Sequence, residues 1–195
     1  MERIASVTRK TGETDITVTI NIDGSGKADI DTGIGFFDHM LNSFARHGFF
    51  DLTVKCKGDL LVDGHHTVED VGIVLGTAIN KAIGDKAGIK RFGECILPMD
   101  EACVMSAIDL SGRPYLVFDM DLNAPMVGDF DTELVHEFFY ALSYSAMINL
   151  NIKELDGENA HHIIEASFKA FAKALDRATQ AEPRLSGVMS TKGSL

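Results

Sequence analysis

The chain has 195 residues, of which 45% are hydrophobic, and its formal net charge is −11 at neutral pH. This length fits one large domain or two small, closely packed ones. The acidic balance argues against a general nucleic-acid-binding protein, which would show a basic stripe, although an anionic substrate could still bind where cations are grouped.

The first half of the chain predicts three strands, a helix, a strand and a second helix. The second strand alternates β-branched residues, and the turn DGSG at 23–26 follows it. The helices show the apolar spacing of amphipathic segments. The predicted strands are 4–8, 14–22, 27–30 and 52–56, and the predicted helices are 37–46 and about 66–83, the latter ending near Gly84.

The second half predicts the same order of elements. The turn LSGR at 110–113 stands where the first half has DGSG, so that Ser25-Gly26-Lys27 corresponds to Ser111-Gly112-Arg113. The predicted strands are 94–97, 102–110, 115–120 and 150–153, and the predicted helices are 132–147 and 161–181.

Both halves therefore read β-β-β-α-β-α, which indicates an internal duplication. We expect one domain made of two repeats, at about 1–90 and 91–185, with a C-terminal tail at 186–195. No apolar run approaches the roughly 20 residues that span a bilayer, and the first ten residues lack the apolar core of a signal peptide. Three cysteines without CxxC spacing favour reduced thiols, so we expect a cytoplasmic protein with no membrane partner.

Two short motifs carry the functional signal. Residues 65–69 and 161–165 both read HHxxE, 96 positions apart, and they contain four of the seven histidines. Residues i and i+4 of a helix lie on one face, whereas adjacent residues diverge by about 100°. Two neighbouring ions, each taking one histidine from each pair, therefore fit better than one ion. Imidazole with carboxylate suits a borderline divalent metal such as manganese, iron or zinc.

The repeat also indicates further ligands. Residues 52–54 and 150–152 match at an offset of 98, and the same offset places Glu137 opposite His39; His136, one residue earlier, is the alternative. With the six residues of the two motifs this gives eight donors, or four for each of two ions. Open coordination positions would remain, as in a catalytic site. His47 has no counterpart in the second half, and we expect it to line the site or to end its helix beside Gly48.

Several segments resemble imidazoleglycerol-phosphate dehydratase, from about residue 3 to residue 193. They are GFFDHML (35–41), DGHHTVED (63–70), LSGRPY (110–115), NAHHIIEASFKAFAKAL (159–175) and STKG (190–193). The resemblance implies a hydro-lyase of histidine biosynthesis that converts imidazole-glycerol phosphate to imidazole-acetol phosphate.

The family fold is α+β, with two β-rich halves whose helices pack between two four-stranded mixed sheets, as in domain 2 of ribosomal protein S5. The resemblance also implies two Mn²⁺ ions per site and a homo-oligomer, a 24-subunit cage built from trimers with its sites at subunit interfaces. The substrate ring, held as an imidazolate by the metals, would expel its neighbouring hydroxyl to give a diazafulvene.

The resemblance also assigns roles to single residues. The implied metal ligands are His39, His65, His66, Glu69, Glu137, His161, His162 and Glu165. The common family pattern EHFF is HEFF here, so Glu137 replaces the usual histidine and metal preference is in question. Glu13, in RKTGETD, looks like the acid–base carboxylate, with Glu165 and His47 as lesser candidates. The implied phosphate-binding residues are Arg91, Arg113, Lys169, Ser190 and Lys192.

Two rival functions fit parts of this pattern. A non-catalytic protein could use the ions to hold an oligomer together, but open coordination positions and grouped cations argue against it. A dinuclear hydrolase acting on a phosphate ester is the other rival, although aspartates usually dominate such sites.

Overall fold

The first half of the chain folds into a four-stranded sheet with two helices. Its second strand, β2 (Thr14–Asn21), is held on the core by alternation: Ile16, Val18 and Ile20 are fully buried, while the residues between them face outward. The computed structural model describes residues 3–195. The elements of this half are β1 (Ile4–Lys10), β2 (Thr14–Asn21), β3 (Ala28–Asp31), α1 (Gly35–Gly48), β4 (Asp51–Gly58) and α2 (His65–Ile83).

The second half repeats this architecture. Its elements are β5 (Phe92–Met99), β6 (Ala102–Asp109), β7 (Tyr115–Asp119), the short strands β8 (Met126–Val127) and β9 (Phe130–Asp131), α3 (Leu134–Ala146), β10 (Asn149–Asp156) and α4 (Ala160–Thr179). The strand orders are β1-β2-β4-β3 and β5-β6-β10-β7, each with one parallel pair, β3–β4 or β7–β10. The predicted duplicated α+β fold with two four-stranded mixed sheets is confirmed.

The two repeats correspond at offsets that change along the chain, and the HHxxE motifs are 96 positions apart. Strands β2 and β6 begin at Thr14 and Ala102, an offset of 88, whereas β4 and β10 are related by 98. Helices α1 and α3 both end on a left-handed residue, Phe49 with φ 59° and Met147 with φ 57°, again 98 apart. The structure thus fixes which side chain of one repeat corresponds to which of the other.

The helices pair across the repeats. Helix α2 packs on β1 and β2, and α4 packs on β5 and β6, while α1 packs against α4 and α3 against α2. Phenylalanines join the halves: Phe44 stacks on Phe171 at 5.4 Å between ring centroids, and Phe37 meets Phe138 edge-on at 5.3 Å. Each repeat therefore completes its core with a helix of the other.

Several predicted boundaries were wrong for local reasons. Helix α3 begins at Leu134 and not at 132, because the Thr132 hydroxyl donates to the carbonyl of Ala124. Helix α4 ends at Thr179 and not at 181, because Gln180 is extended and Ala181 pairs with Ile89. The β8–β9 hairpin was not predicted.

The segment after α4 lies against the chain just before β5. Val188 forms a bridge with Ala87, and the Gly88 amide donates to the carbonyl of Gly187 at 2.8 Å. None of the helices formed by residues 3–195 has the length and apolar character that crossing a membrane requires.

Candidate active site

Helices α1 and α4 bring three metal-type donors together. His39, His161 and Glu165 each offer one ligand atom, and these atoms all lie within 4.8 Å of one another. Glu165 Oε2 is 3.3 Å from His39 Nε2 and 3.2 Å from His161 Nε2. His161 and Glu165 share a helix face because they are four residues apart. We call these residues the three-donor set.

The carboxylate of Glu165 is held in its ionised form. Glu165 is only 7% exposed, and burial alone would raise its pKa. The ammonium of Lys169, 2.8 Å from Oε1, and the His39 imidazole outweigh burial and hold the pKa of Glu165 below its ordinary value. An ionised, buried carboxylate flanked by two imidazoles is a donor set that a borderline divalent cation favours.

The start of each HHxxE helix is fixed by a polar side chain. The Asn159 side chain caps α4 and accepts from the amides of His161, at 2.9 Å, and His162, at 3.4 Å. On α2, the Asp63 carboxylate accepts from the amide of His65 at 2.8 Å. These contacts orient both histidine pairs at helix N-termini.

The first HHxxE motif lies beside the same cavity as the second. His65 and His161 both line a cavity of about 750 Å³, bounded by the 126–131 hairpin and the start of α1. Glu69 is half-buried one turn after His65. Within residues 3–195, Glu69 forms no ion pair or side-chain hydrogen bond, so its carboxylate is available to a ligand.

The register of the repeats favours Glu137 over His136 as the counterpart of His39. Helices α1 and α3 superpose at an offset of 98, as their left-handed caps show, and His39 then corresponds to Glu137. Since α3 packs on α2 as α1 packs on α4, the counterpart of the three-donor set is Glu137 with His65 and Glu69. His136 stacks on Tyr140, and its Nδ1 lies 3.0 Å from Glu137 Oε1.

The second histidine of each pair contacts a carboxylate through Nδ1. His66 Nδ1 is 3.0 Å from Asp59 Oδ2, and His162 Nδ1 is 2.7 Å from Glu101 Oε2. These hydrogen bonds are the largest cause of the raised pKa of both histidines. The His162 contact also lowers the pKa of Glu101 to about 2.

Glu13 lies in the turn between β1 and β2, exposed and close to the first motif. Its Oε1 is 3.7 Å from His66 Nε2, beyond hydrogen-bonding distance. Its own amide donates to the Thr11 hydroxyl at 3.1 Å, which fixes the turn. Glu13 therefore lies next to a candidate ligand nitrogen but makes no hydrogen bond to it.

The candidate phosphate-binding residues fall into two groups. Arg91 makes a bidentate pair with Asp109, at 2.6 and 2.9 Å, and donates to the carbonyl of Met189 at 2.6 Å. That contact places Ser190 next to Arg91, and the Lys192 amide donates to the Ser190 hydroxyl.

The loop that carries Arg113 lies against the chain end. A Cβ on Gly112 would be 3.4 Å from the carbonyl carbon of Leu195, and the Arg113 side chain is exposed. Lys169 belongs to a different group, because its ammonium pairs with Glu165. His47, in the last turn of α1, is half-buried; burial and then the nearby Lys169 lower its pKa.

Asp59, Asp100 and Glu101 are polar neighbours of the histidine pairs that sequence reasoning missed. Asp100 Oδ2 is 3.6 Å from His162 Nε2. The strand offset of 88 places Glu101 opposite Glu13, and that offset was a signal available in the sequence. Asp59 has no counterpart of this kind, so only the structure identifies it.

Comparisons with known proteins show the family of the chain. The family model of imidazoleglycerol-phosphate dehydratase matches residues 32–175. Imidazoleglycerol-phosphate dehydratases from Lachnoclostridium phytofermentans and Acetivibrio thermocellus are 63% and 64% identical to the chain, with full coverage of both partners.

Two solved structures share the fold. The dehydratase from Staphylococcus aureus superposes with a TM-score of 0.84 at 40% identity, covering 92% of this chain and 99% of that one. The Pyrococcus furiosus enzyme, solved in complex with (S)-C348, gives 0.84 at 39% identity, covering 97% and 100%. The chain therefore belongs to the imidazoleglycerol-phosphate dehydratase family, the hydro-lyases that catalyse a dehydration in histidine biosynthesis.

Proposed function

We propose that the chain dehydrates imidazole-glycerol phosphate to imidazole-acetol phosphate with two manganese ions per active site, in the cytoplasm. The observation that supports the metal dependence is the three-donor set, whose two imidazole nitrogens and one carboxylate oxygen lie within 4.8 Å of one another. When bound, the ions would supply Lewis acidity towards the nitrogens of the substrate ring.

The chain offers a second set of donors for the second ion. Glu137, His65 and Glu69 are the repeat counterparts of the three-donor set, and His66 and His162 complete the eight candidate ligands. Glutamate at 137 supplies an oxygen donor where the family usually has an imidazole nitrogen. That exchange favours a harder ion such as manganese over zinc.

Glu13 is the residue that we assign to proton transfer. The reaction must protonate a departing hydroxyl and later remove a proton from a carbon atom. Loss of the hydroxyl gives a diazafulvene, in which the remaining C–H group is more acidic. An exposed carboxylate 3.7 Å from a candidate ligand histidine can reach a substrate held there. Glu165 is less suited, because Lys169 and two histidines already engage its oxygens.

The substrate phosphate would be bound by cations and the Ser190 hydroxyl. Arg113 and Lys192 are exposed and free to move towards an anion. Arg91 pairs with Asp109 and donates to the carbonyl of Met189. Besides any contact with the phosphate, it therefore holds the Ser190 segment in place. Lys169 would approach the ligand from the Glu165 side, and His47 lies near it.

We also propose that complete sites form between subunits of a homo-oligomer, a 24-subunit cage of trimers. Three donors within ligand distance are fewer than the six positions of an octahedral ion. Among residues 3–195, the other candidate ligands lie outside this set and are partly exposed, so a neighbouring subunit can bring them to the same ion.

The test is an assay of purified protein with Mn²⁺ and imidazole-glycerol phosphate. An enolisable ketone should form without release of inorganic phosphate, and chelation should stop its formation until Mn²⁺ is restored. Free phosphate would indicate a hydrolase, and unchanged substrate would indicate a non-catalytic metal protein. Either result would overturn the proposal.

A further inference from the structure

The second histidine of each HHxxE motif has one ring nitrogen occupied. An ionised carboxylate can only accept a hydrogen bond, so the imidazole nitrogen that faces it must carry the proton. Asp59 faces Nδ1 of His66, at 3.0 and 3.2 Å, and Glu101 faces Nδ1 of His162 at 2.7 Å. In both rings the lone pair is therefore on Nε2.

The two carboxylates reach the histidines from different loops. Asp59 follows the end of β4, and its counterpart in the second repeat is Gly157. A side chain at 157 has no room, because a Cβ there would lie 2.6 Å from Cγ1 of Ile163. The second repeat instead uses Glu101, in the turn before β6, to contact its histidine.

Glu101 is in turn the counterpart of Glu13 at the offset of 88. The two carboxylates stand at equivalent turns but make different contacts: Glu101 bonds Nδ1 of His162, whereas Glu13 lies 3.7 Å from Nε2 of His66. In the first repeat Asp59 already accepts a hydrogen bond from Nδ1 of His66, and Glu13 makes no hydrogen bond to that ring.

We propose that Asp59 and Glu101 are positioning residues, which direct Nε2 of His66 and His162 towards the metal ions, and that Asp59 thereby frees Glu13 for proton transfer. This inference rests on the proposed function. Carboxylates that orient ligand histidines typically change metal affinity by about 10- to 100-fold when removed.

Amide variants test the idea sharply. In Glu101→Gln, the side-chain amide nitrogen faces Nδ1 of His162 and donates to it, which places the ring proton on Nε2 and blocks metal binding through that atom. In Asp59→Asn, the neutral amide removes the anionic acceptor that holds the proton of His66 on Nδ1. The amide oxygen can still accept at Oε1, where Glu101 takes the Asn159 amide at 2.8 Å. In Glu101→Gln, local folding is thus preserved while the ring tautomer is inverted, and in Asp59→Asn the negative charge beside the ring is lost.

The experiment measures Mn²⁺ binding by electron paramagnetic resonance and calorimetry, with thermal unfolding of the metal-free protein as the folding check. We expect Asp59→Asn and Glu101→Gln each to weaken Mn²⁺ binding by about 10- to 100-fold with unchanged metal-free unfolding. Asp59→Glu should restore most of the affinity. Asp121→Asn and Glu158→Gln, which remove exposed charges outside the cavity, should bind Mn²⁺ like the wild type.

Two further variants separate positioning from catalysis. Glu13→Gln should keep wild-type Mn²⁺ affinity while kcat falls by about 10²- to 10⁴-fold. In a His66→Ala background, Asp59→Asn should cause little additional loss of affinity, because the two residues act as one unit.

The outcomes distinguish the two proposals. If wild-type protein neither binds Mn²⁺ nor dehydrates the substrate, the proposed function fails and the inference fails with it. If the wild type does both, but the Asp59 and Glu101 amide variants bind Mn²⁺ normally or no worse than the control variants, only the inference is overturned.

Discussion

Glu165 is the residue on which the three-donor set depends, since His39, His161 and Lys169 all contact its carboxylate. Lys169 takes Oε1 and the histidines share Oε2. Removing the charge would leave the Lys169 ammonium without its partner and the two imidazoles without an anionic donor.

We therefore predict that Glu165→Gln lowers Mn²⁺ binding from about two ions per chain to about one, because the second donor set remains intact. Titration followed by electron paramagnetic resonance measures this stoichiometry. Glu158→Gln, an equal loss of charge just before α4, is the matched control. Two bound ions in Glu165→Gln would contradict the assignment.

At the level of single residues, the sequence shows the repeated motif itself but not the polar residues that contact it. The match of Glu137 to His39 could be read from the offset of 98, and the helix caps now support that register. Asp59 could not be found, because it contacts His66 across a loop, and its repeat counterpart is a glycine with no side chain to compare.

Helices α2 and α3 pack more closely than helices with ordinary side chains permit. A Cβ on Gly76 would lie 2.4 Å from the carbonyl oxygen of Leu142 and 2.9 Å from the amide nitrogen of Ala146. Gly72 likewise faces the carbonyl of Phe138, at 2.8 Å. Helices α1 and α4 instead meet through phenylalanines, so the two helix pairs differ in spacing although their topology is the same.

We predict that Gly76→Ala destabilises the protein by about 1–3 kcal/mol, because overpacking outweighs the better helix propensity of alanine. Urea unfolding measures the change. Gly35→Ala is the matched control, since its Cβ would meet nothing within 4 Å. Equal stability of the two variants would refute close packing at Gly76.

The order and type of the larger elements could be predicted because each carries a long periodic pattern. The β8–β9 hairpin could not, since two-residue strands are too short to show alternation. The hairpin is held in place by tertiary contacts: Phe130 is 2% exposed and packs on Phe36 and Phe37. The early end of α4 likewise depends on the pairing of Ala181 with Ile89. The residues around Ala181 contain no local pattern that predicts this contact.

For the whole molecule, metal binding and assembly should be linked if the sites are completed between subunits. We predict that chelation reduces particle size as well as activity, because a ligand that binds only the assembled form stabilises it. Sizing of protein dialysed against EDTA, with metal content measured in the same sample, tests this.

Restoring Mn²⁺ should restore the large particle, and EDTA saturated with Mn²⁺ beforehand should have no effect. A metal-free sample that keeps the same large size would count against sites shared between subunits.

The reciprocal helix pairing has a historical consequence. Each repeat leaves the face of its first helix to be covered by the second helix of the other, so a half-length ancestor would have needed a twin to bury its core. Two such molecules would have carried the same carboxylate in the turn between their first two strands, and that carboxylate would have had the same role in both. Fusion of the two genes would have released that constraint, and it would have let Glu13 and Glu101 take on different roles.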